Sequence, residues 1–255
     1  FFFINLKTKY YLNLKFFKML KKLIKSLIPN ILIACHSLKP LSKRMCPICN
    51  NYGYFSAFGI PPRVDSQCKK CKSVERHRLL YVSLKRKKIQ KHFKKDAKIL
   101  HFAAENCLKN FFKKKYKNYS TADLFEKSDL RINIEKINLP SNYYDVIIAN
   151  HVLEHVNDLK SCRQIKRILK TNGIFISSVP IIDAWKKTYE NKKIIKKKDR
   201  ILHFGQHDHL RYYGSDFPLR IKKSGLKIYD IYSADPSDII KYGLLRGEKI
   251  FYFYK

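Results

Sequence analysis

The sequence predicts an α/β protein: a doubly wound, mostly parallel sheet preceded by a small cysteine module. Three observations predict it. From Lys98 onward, short apolar strands alternate with amphipathic helices, the pattern of repeated βαβ units. Four of the seven cysteines fall in two C-x-x-C pairs, Cys46 with Cys49 and Cys68 with Cys71. The chain has 255 residues, 45% hydrophobic and 14% aromatic, enough for one α/β domain of ordinary size plus an appendage. That composition excludes a wholly disordered chain, a collagen and a disulfide-dependent mini-protein.

The first 44 residues contain nine Lys, one Arg and no acid; the first acidic residue is Asp65. Phe17, Leu20, Ile24, Leu27 and Ile28 recur at helical spacing, with Lys18, Lys21, Lys22 and Lys25 between them. This reads as a basic amphipathic helix that Pro29 ends or kinks. Two roles fit it: docking on an anionic membrane surface, or packing on the main domain. The first Met is Met19, and a natural start there would leave 1–18 outside the native protein. The longest uncharged run near this end, 26–38, is too short for a membrane span and is broken by Pro29. No small-residue cleavage site follows it, so the expected compartment is cytoplasmic, with peripheral membrane contact as the variant.

Residues 45–84 form the expected cysteine module and its connecting helix. Eighteen residues separate CPIC from CKKC. Two such turns can present four sulfurs to one tetrahedral ion, so Cys46, Cys49, Cys68 and Cys71 are expected to hold a structural zinc in a ribbon-like fold. Two disulfides are the alternative, disfavoured by the lack of a secretory signal. Glu75, Arg76, His77 and Arg78 then lead into an apolar helix. Arg76 and Arg78 read as an anchor, pairing with acids or knuckle carbonyls and fixing the module to the next domain. Residues 85–97 read as a basic linker.

The main domain spans 98–255. Strands are expected at 97–105, 118–122, 130–134, 143–150, 174–179, 226–232 and 249–254, with helices at 106–116, 151–169 and 215–224. Asn172-Gly173 reads as a helix stop. Ligands in such sheets bind beyond the carboxyl ends of the strands, and polar residues gather there. Asp123 ends the second strand, where a carboxylate suits the two hydroxyls of a ribose. Phe102, Ala103, Ala104, Glu105 and Asn106 form the turn after the first strand. Asn150 and His151 end the fourth.

The motifs CPIC, CKKCKSVERHRLL, ILHFAAE, YSTADL, YYDVIIANHVLEHV, LKTNGIFISSVP and FGQHDHLRYYGSDF together resemble the class I S-adenosylmethionine-dependent methyltransferases. They are similar in particular to a bacterial group with a four-cysteine module ahead of the catalytic domain. The resemblance implies a Rossmann-like, seven-stranded sheet with a reversed last hairpin. It also implies S-adenosylmethionine as cofactor, held by Phe102, Ala103, Glu105, Asp123, Asn133, Ile134, Asn150 and His151. Two departures stand out: FAAEN replaces the usual glycine-rich G-x-G loop, and Asn133 stands where the group more often has Asp.

Methyl transfer is an in-line displacement that depends on alignment, helped by a base when the acceptor carries a proton. His155, His207 and His209 are the candidate catalytic residues; His207, Asp208 and His209 could instead bind a metal. The Lys-rich stretch 186–200 could meet an anionic acceptor or be a solvated loop. The leading expectation is methyl transfer to a small-molecule or glycan-type acceptor. An RNA methyltransferase is the second reading, favoured by the net charge of +34. Of the 54 basic residues 42 are Lys, though, and nucleic-acid sites lean on Arg. A non-catalytic zinc-binding scaffold is the third, argued by the missing glycines.

Overall fold

The computed structural model describes residues 18–25, 27–29, 32, 35 and 38–255. Residues 18–25 and 27–29 are helical, with Leu20, Ile24, Leu27 and Ile28 exposed; Phe17 lies outside the described residues. Among the described residues, no helix is long and apolar enough to cross a membrane.

Two antiparallel hairpins follow: β1 (Lys43–Met45) with β2 (Tyr52–Tyr54), and β3 (Ser56–Phe58) with β4 (Arg63–Gln67). Helix α1 (Glu75–Ser83) follows, then the short α2 (Lys87–Gln90). The main sheet has seven strands in the order β12-β13-β9-β8-β5-β6-β7. In chain order these are β5 (Ile99–Phe102), β6 (Tyr119–Asp123), β7 (Leu130–Arg131), β8 (Tyr144–Asn150), β9 (Leu169–Ser178), β12 (Lys227–Ser233) and β13 (Lys249–Tyr254). The pairs β5–β6, β5–β8, β6–β7 and β8–β9 are parallel, while β13 runs antiparallel to both β9 and β12. The expected Rossmann-like sheet with a reversed final hairpin is present.

Side chains alternate across the strands, so the sheet has two cores. Leu100, Ile147, Phe175, Phe251 and Phe253 face one layer. That layer is formed by α4 (Asp158–Ile168) and α6 (Phe217–Lys222), through Cys162, Ile165, Phe217 and Ile221. Ile99, Val146, Ile148, Ile174, Ile176 and Tyr252 face the other, against Leu79 and Leu80 of α1 and Leu108 and Phe112 of α3 (Asn106–Lys115). The helix after the cysteine module is therefore a layer of the main domain. The segment read as a linker is also packed: Ile89 of α2 and Ala97 are buried in the same core.

Three local expectations need correction. The helix read from 151 to 169 is a single 3-10 turn at Leu153–His155, a break, then α4. Asn157 restarts the helix by accepting a bond from the Lys160 amide. Asn172-Gly173 is no helix stop: α4 ends at Ile168 and β9 already begins at Leu169. The register with β8 jumps from Tyr144–Leu169 to Val146–Ile174, so Lys170–Gly173 bulge. A Cβ at Gly173 would lie 2.8 Å from Leu169 Cδ1, which is why glycine suits the bulge. The Lys-rich stretch and the residues after it hold β10 (Tyr189–Glu190), α5 (Lys197–Phe204) and β11 (Arg211–Tyr212), and α7 (Pro236–Tyr242) precedes the last strand.

Candidate functional site

The two central parallel strands each end on a non-glycine residue in the left-handed region: Ala103 after β5 (φ 48°) and His151 after β8 (φ 50°). Such backbone costs of order 1–3 kcal/mol per residue and concentrates where function needs it. Ala103 takes the conformation that glycine adopts freely, and its exposed methyl stays clear of the fold. Asp123 ends β6 beside it. One Asp123 oxygen, Oδ1, accepts the amides of Phe125 (2.8 Å) and Glu126 (2.9 Å). That turn fixes the carboxylate and leaves Oδ2 for a ligand. Ala103, Ala104, Thr121 and Asp123 share a pocket of about 180 Å³ with Lys109 and Ser128.

The other expected cofactor residues divide by orientation. Phe102 and Ile134 bury their side chains in the core, so only their backbone can meet a ligand. Asn133 accepts the Glu135 amide through its side chain. Asn150 is buried and accepts the Ser178 hydroxyl at 3.2 Å. His151 lies between two carboxylates, Glu154 (3.3 Å) and Glu248 (3.3 Å). Burial opposes its charge, but the hydrogen bond to Glu248 and the charges of both acids prevail and raise it to about 9.

Glu105 turns toward α1. His77 Nδ1 accepts the Val74 amide, so its Nε2–H faces the Glu105 carboxylate at 3.2 Å. Arg76 (3.9 Å) and His101 (3.8 Å) complete the surround. Burial alone would raise the Glu105 carboxyl; the bond from His77 and nearby positive charge outweigh it and bring it to about 2. A carboxyl held that low stabilises the fold above its unfolded value near 4.5, and the contribution fades as pH falls through 2. Glu105→Gln is therefore expected to lower stability by about 2 kcal/mol at pH 7. In urea unfolding the gap to the wild type should shrink at pH 3; an equal gap at both pH values would refute this role.

Beyond β8, the expected histidines separate. His155 and His209 meet, with ring centroids 4.7 Å apart, whereas His207 is exposed on the turn after α5. The 209–213 run is bound to the 3-10 turn. The Leu210 amide donates to Glu154 O, Arg211 Nη1 to the carbonyls of Leu153 and Val156, and the Tyr213 hydroxyl to Leu153 O. Arg220 and buried Asp158 brace this from below through a 2.6 Å contact. Sequence reasoning missed Glu248 and Glu154 as partners of His151; their positions 97 and 3 residues away carry no shared pattern.

The four paired cysteines converge. Cys46 and Cys71 sulfurs lie 3.5 Å apart, Cys49 and Cys68 sulfurs 3.7 Å, and all four within 4.8 Å. These spacings exclude disulfides and match the ~3.8 Å edge of a tetrahedron with ~2.3 Å metal–sulfur bonds. The two knuckles are alike: Asn50 and Lys72, each four residues after a first cysteine, are left-handed and donate back to Cys46 O and Cys68 O. Arg78 joins this module to the end of α7, as the anchor reading expects.

A cavity of about 1070 Å³ lies at the opposite end of the sheet, among Lys98, Asp145, Lys170 and Tyr229. It is at the amino ends of β5, β8 and β9, away from the strand termini where ligands of such sheets bind.

No curated protein sequence matches the chain. Several solved structures resemble it. One is an S-adenosylmethionine-dependent methyltransferase from Mesorhizobium loti, 13% identical over 65% of this chain and 95% of that one, TM-score 0.47. Another is the 1,6-didemethyltoxoflavin-N1-methyltransferase of Burkholderia thailandensis, solved with its namesake compound and S-adenosylhomocysteine. It is 14% identical over 65% and 74% of the two chains, TM-score 0.47. A third, a SAM-dependent methyltransferase from Leishmania major, is 16% identical over 63% and 65%, TM-score 0.45. The segment from 87 to 177, which carries β5 to β8, nearly all of β9 and the strand ends described above, matches the family described as a methyltransferase domain.

Proposed function

We propose that the chain is an S-adenosylmethionine-dependent methyltransferase that binds its cofactor at the carboxyl ends of β5, β6 and β8. The observation that carries this reading is the convergence of left-handed Ala103, the half-engaged Asp123 carboxylate and left-handed His151 at neighbouring strand ends, inside the segment that matches the methyltransferase family. The residues fit the group: Asp123 Oδ2 can accept from a ribose, and the Ala103–Ala104 backbone borders the pocket beside it. Asn133 and Ile134 would flank the adenine. Bound there, the cofactor supplies a methyl group activated by a sulfonium. His151, charged between Glu154 and Glu248, closes the β8 end and is placed to orient the methionyl part. His155 and His209 face the acceptor side. Burial lowers His209 and keeps its imidazole neutral.

The acceptor class is proposed to be a small molecule or glycan-type molecule, entering under the cover made by 183–215. The four cysteines are proposed to hold a structural zinc, all four positions being filled by sulfur. Thermal unfolding with S-adenosylhomocysteine tests the cofactor reading. A rise in Tm that Asp123→Ala abolishes supports it; an unchanged Tm at saturating ligand contradicts it.

A further inference from the structure

Glu154 is the most unusual acid in the protein. It is fully buried, and neither carboxylate oxygen receives a hydrogen bond; its nearest partner is His151 Nδ1 at 3.3 Å. A buried carboxylate without hydrogen bonds is costly, and such sites call for an explanation. His155 and His209 stand beside it. Each of the three can present one ligand atom, and these atoms lie within 4.8 Å of one another.

The outer contacts of both histidines are those of metal ligands. His209 Nδ1 lies 3.0 Å from the Phe204 carbonyl, which can only accept, so the proton sits on Nδ1 and Nε2 keeps an open lone pair. His155 Nδ1 pairs with Asp208 Oδ2 at 3.1 Å, which leaves its Nε2 open in the same way. Ligating imidazoles commonly donate their second nitrogen to a carbonyl or carboxylate, which fixes ring and tautomer. The cluster is also preformed, because the Leu210 amide bonds Glu154 O and holds the His209 segment against the turn bearing Glu154 and His155. The partly exposed His155 gives an ion a way in.

We propose that Glu154, His155 and His209 form a binding site for a divalent transition-metal cation, separate from the four-cysteine cluster. Two imidazoles and a carboxylate suit Mn²⁺, Fe²⁺, Co²⁺ or Zn²⁺ better than Ca²⁺ or Mg²⁺. Three protein ligands leave positions open, unlike the closed tetrathiolate. The site lies past the β8 end, so an acceptor oxygen could take an open position; that role, unlike the site itself, rests on the proposed methyl transfer.

The test is titration of the full chain, carrying one zinc per chain for the cysteine cluster, with Mn²⁺ alone, followed by electron paramagnetic resonance. Mn²⁺ prefers oxygen and nitrogen to thiolate, so the cysteine cluster does not interfere. The expected result is about one Mn²⁺ per chain, with affinity falling at least ~10-fold in His155→Ala and in His209→Gln and several-fold in Asp208→Asn. His155 is partly exposed and Asp208 exposed, so their variants are expected to fold, and unchanged circular dichroism checks this for all three. No Mn²⁺ bound at about 1 mM, or binding that both histidine variants leave intact, overturns the site. S-adenosylhomocysteine binding by the same samples reports on the methyltransferase reading separately, since Asp123 and Ala103 take no part in the metal cluster.

Discussion

Arg78→Ala is expected to lower stability by about 3–5 kcal/mol, the range seen when a buried charged partner is removed. The Arg78 side chain is fully buried. Its guanidinium donates to four carbonyls: Ser66 O (2.9 Å) and Ser73 O (2.7 Å) in the cysteine module, Tyr242 O (2.7 Å) and Gly243 O (2.6 Å) at the end of α7. It also lies 4.7 Å over the Phe55 ring. Truncation removes all four of these bonds, leaving Ser73 O only the Cys68 amide, and opens a cavity at the junction. Burial disfavours the Arg78 charge, and Glu75 and the thiolates of Cys46, Cys68 and Cys71 favour it. In the proposed zinc site four thiolates around a divalent ion would carry a net double negative charge, to which Arg78 would be the counter-charge as well as a clamp. Arg78→Lys should rescue little, because an ammonium cannot span four carbonyls in two directions. Urea unfolding at pH 7 measures both variants; a loss under about 1 kcal/mol for Arg78→Ala would contradict the clamp.

Cys46→Ser is expected to abolish high-affinity zinc binding and to loosen residues 43–73. The hairpins β1–β2 and β3–β4 are short, and their shared core is small: Phe55 with the cysteines and Ile48. Without the ion little else would order them, since a structural zinc supplies ~10 kcal/mol or more of folding free energy in small modules. The effect should reach the strand ends. Helix α1 starts two residues after the last cysteine turn and meets Glu105 through His77, and Glu105 immediately precedes α3. Metal loss should therefore weaken binding at the Ala103 turn as well. Cobalt substitution provides the readout: the wild type should show sulfur-to-cobalt charge transfer, Cys46→Ser a much weaker band. A wild-type protein with no bound metal and four freely reactive thiols would remove the zinc from the account.

Much of the sheet was legible because its strands are short apolar runs. The stretch Tyr144–Asn150 is buried on both faces, and no helical period competes with it. The cysteine cluster was legible from spacing alone. What escaped had weak apolar signals or distant partners. Helix α5 buries only Phe204 and α7 buries nothing, so neither shows a stripe. Asn172-Gly173 carries the residues of a turn, and the bulge that absorbs them depends on β8 lying alongside. The direction of Glu105 is set by His77, 28 residues earlier, and His155 meets His209 from 54 positions away. Candidate residues could be named from strand ends; which of them face a ligand and which face the fold needed the tertiary arrangement.

Calorimetric titration of the zinc-loaded protein with S-adenosylhomocysteine tests the central claim most directly. Micromolar binding is expected, about −8 kcal/mol, weakened more than tenfold by Asp123→Ala, a loss of about 1.4 kcal/mol or more. Binding that Asp123→Ala leaves unchanged, or no heat at millimolar ligand, would contradict a cofactor site at the ends of β5, β6 and β8.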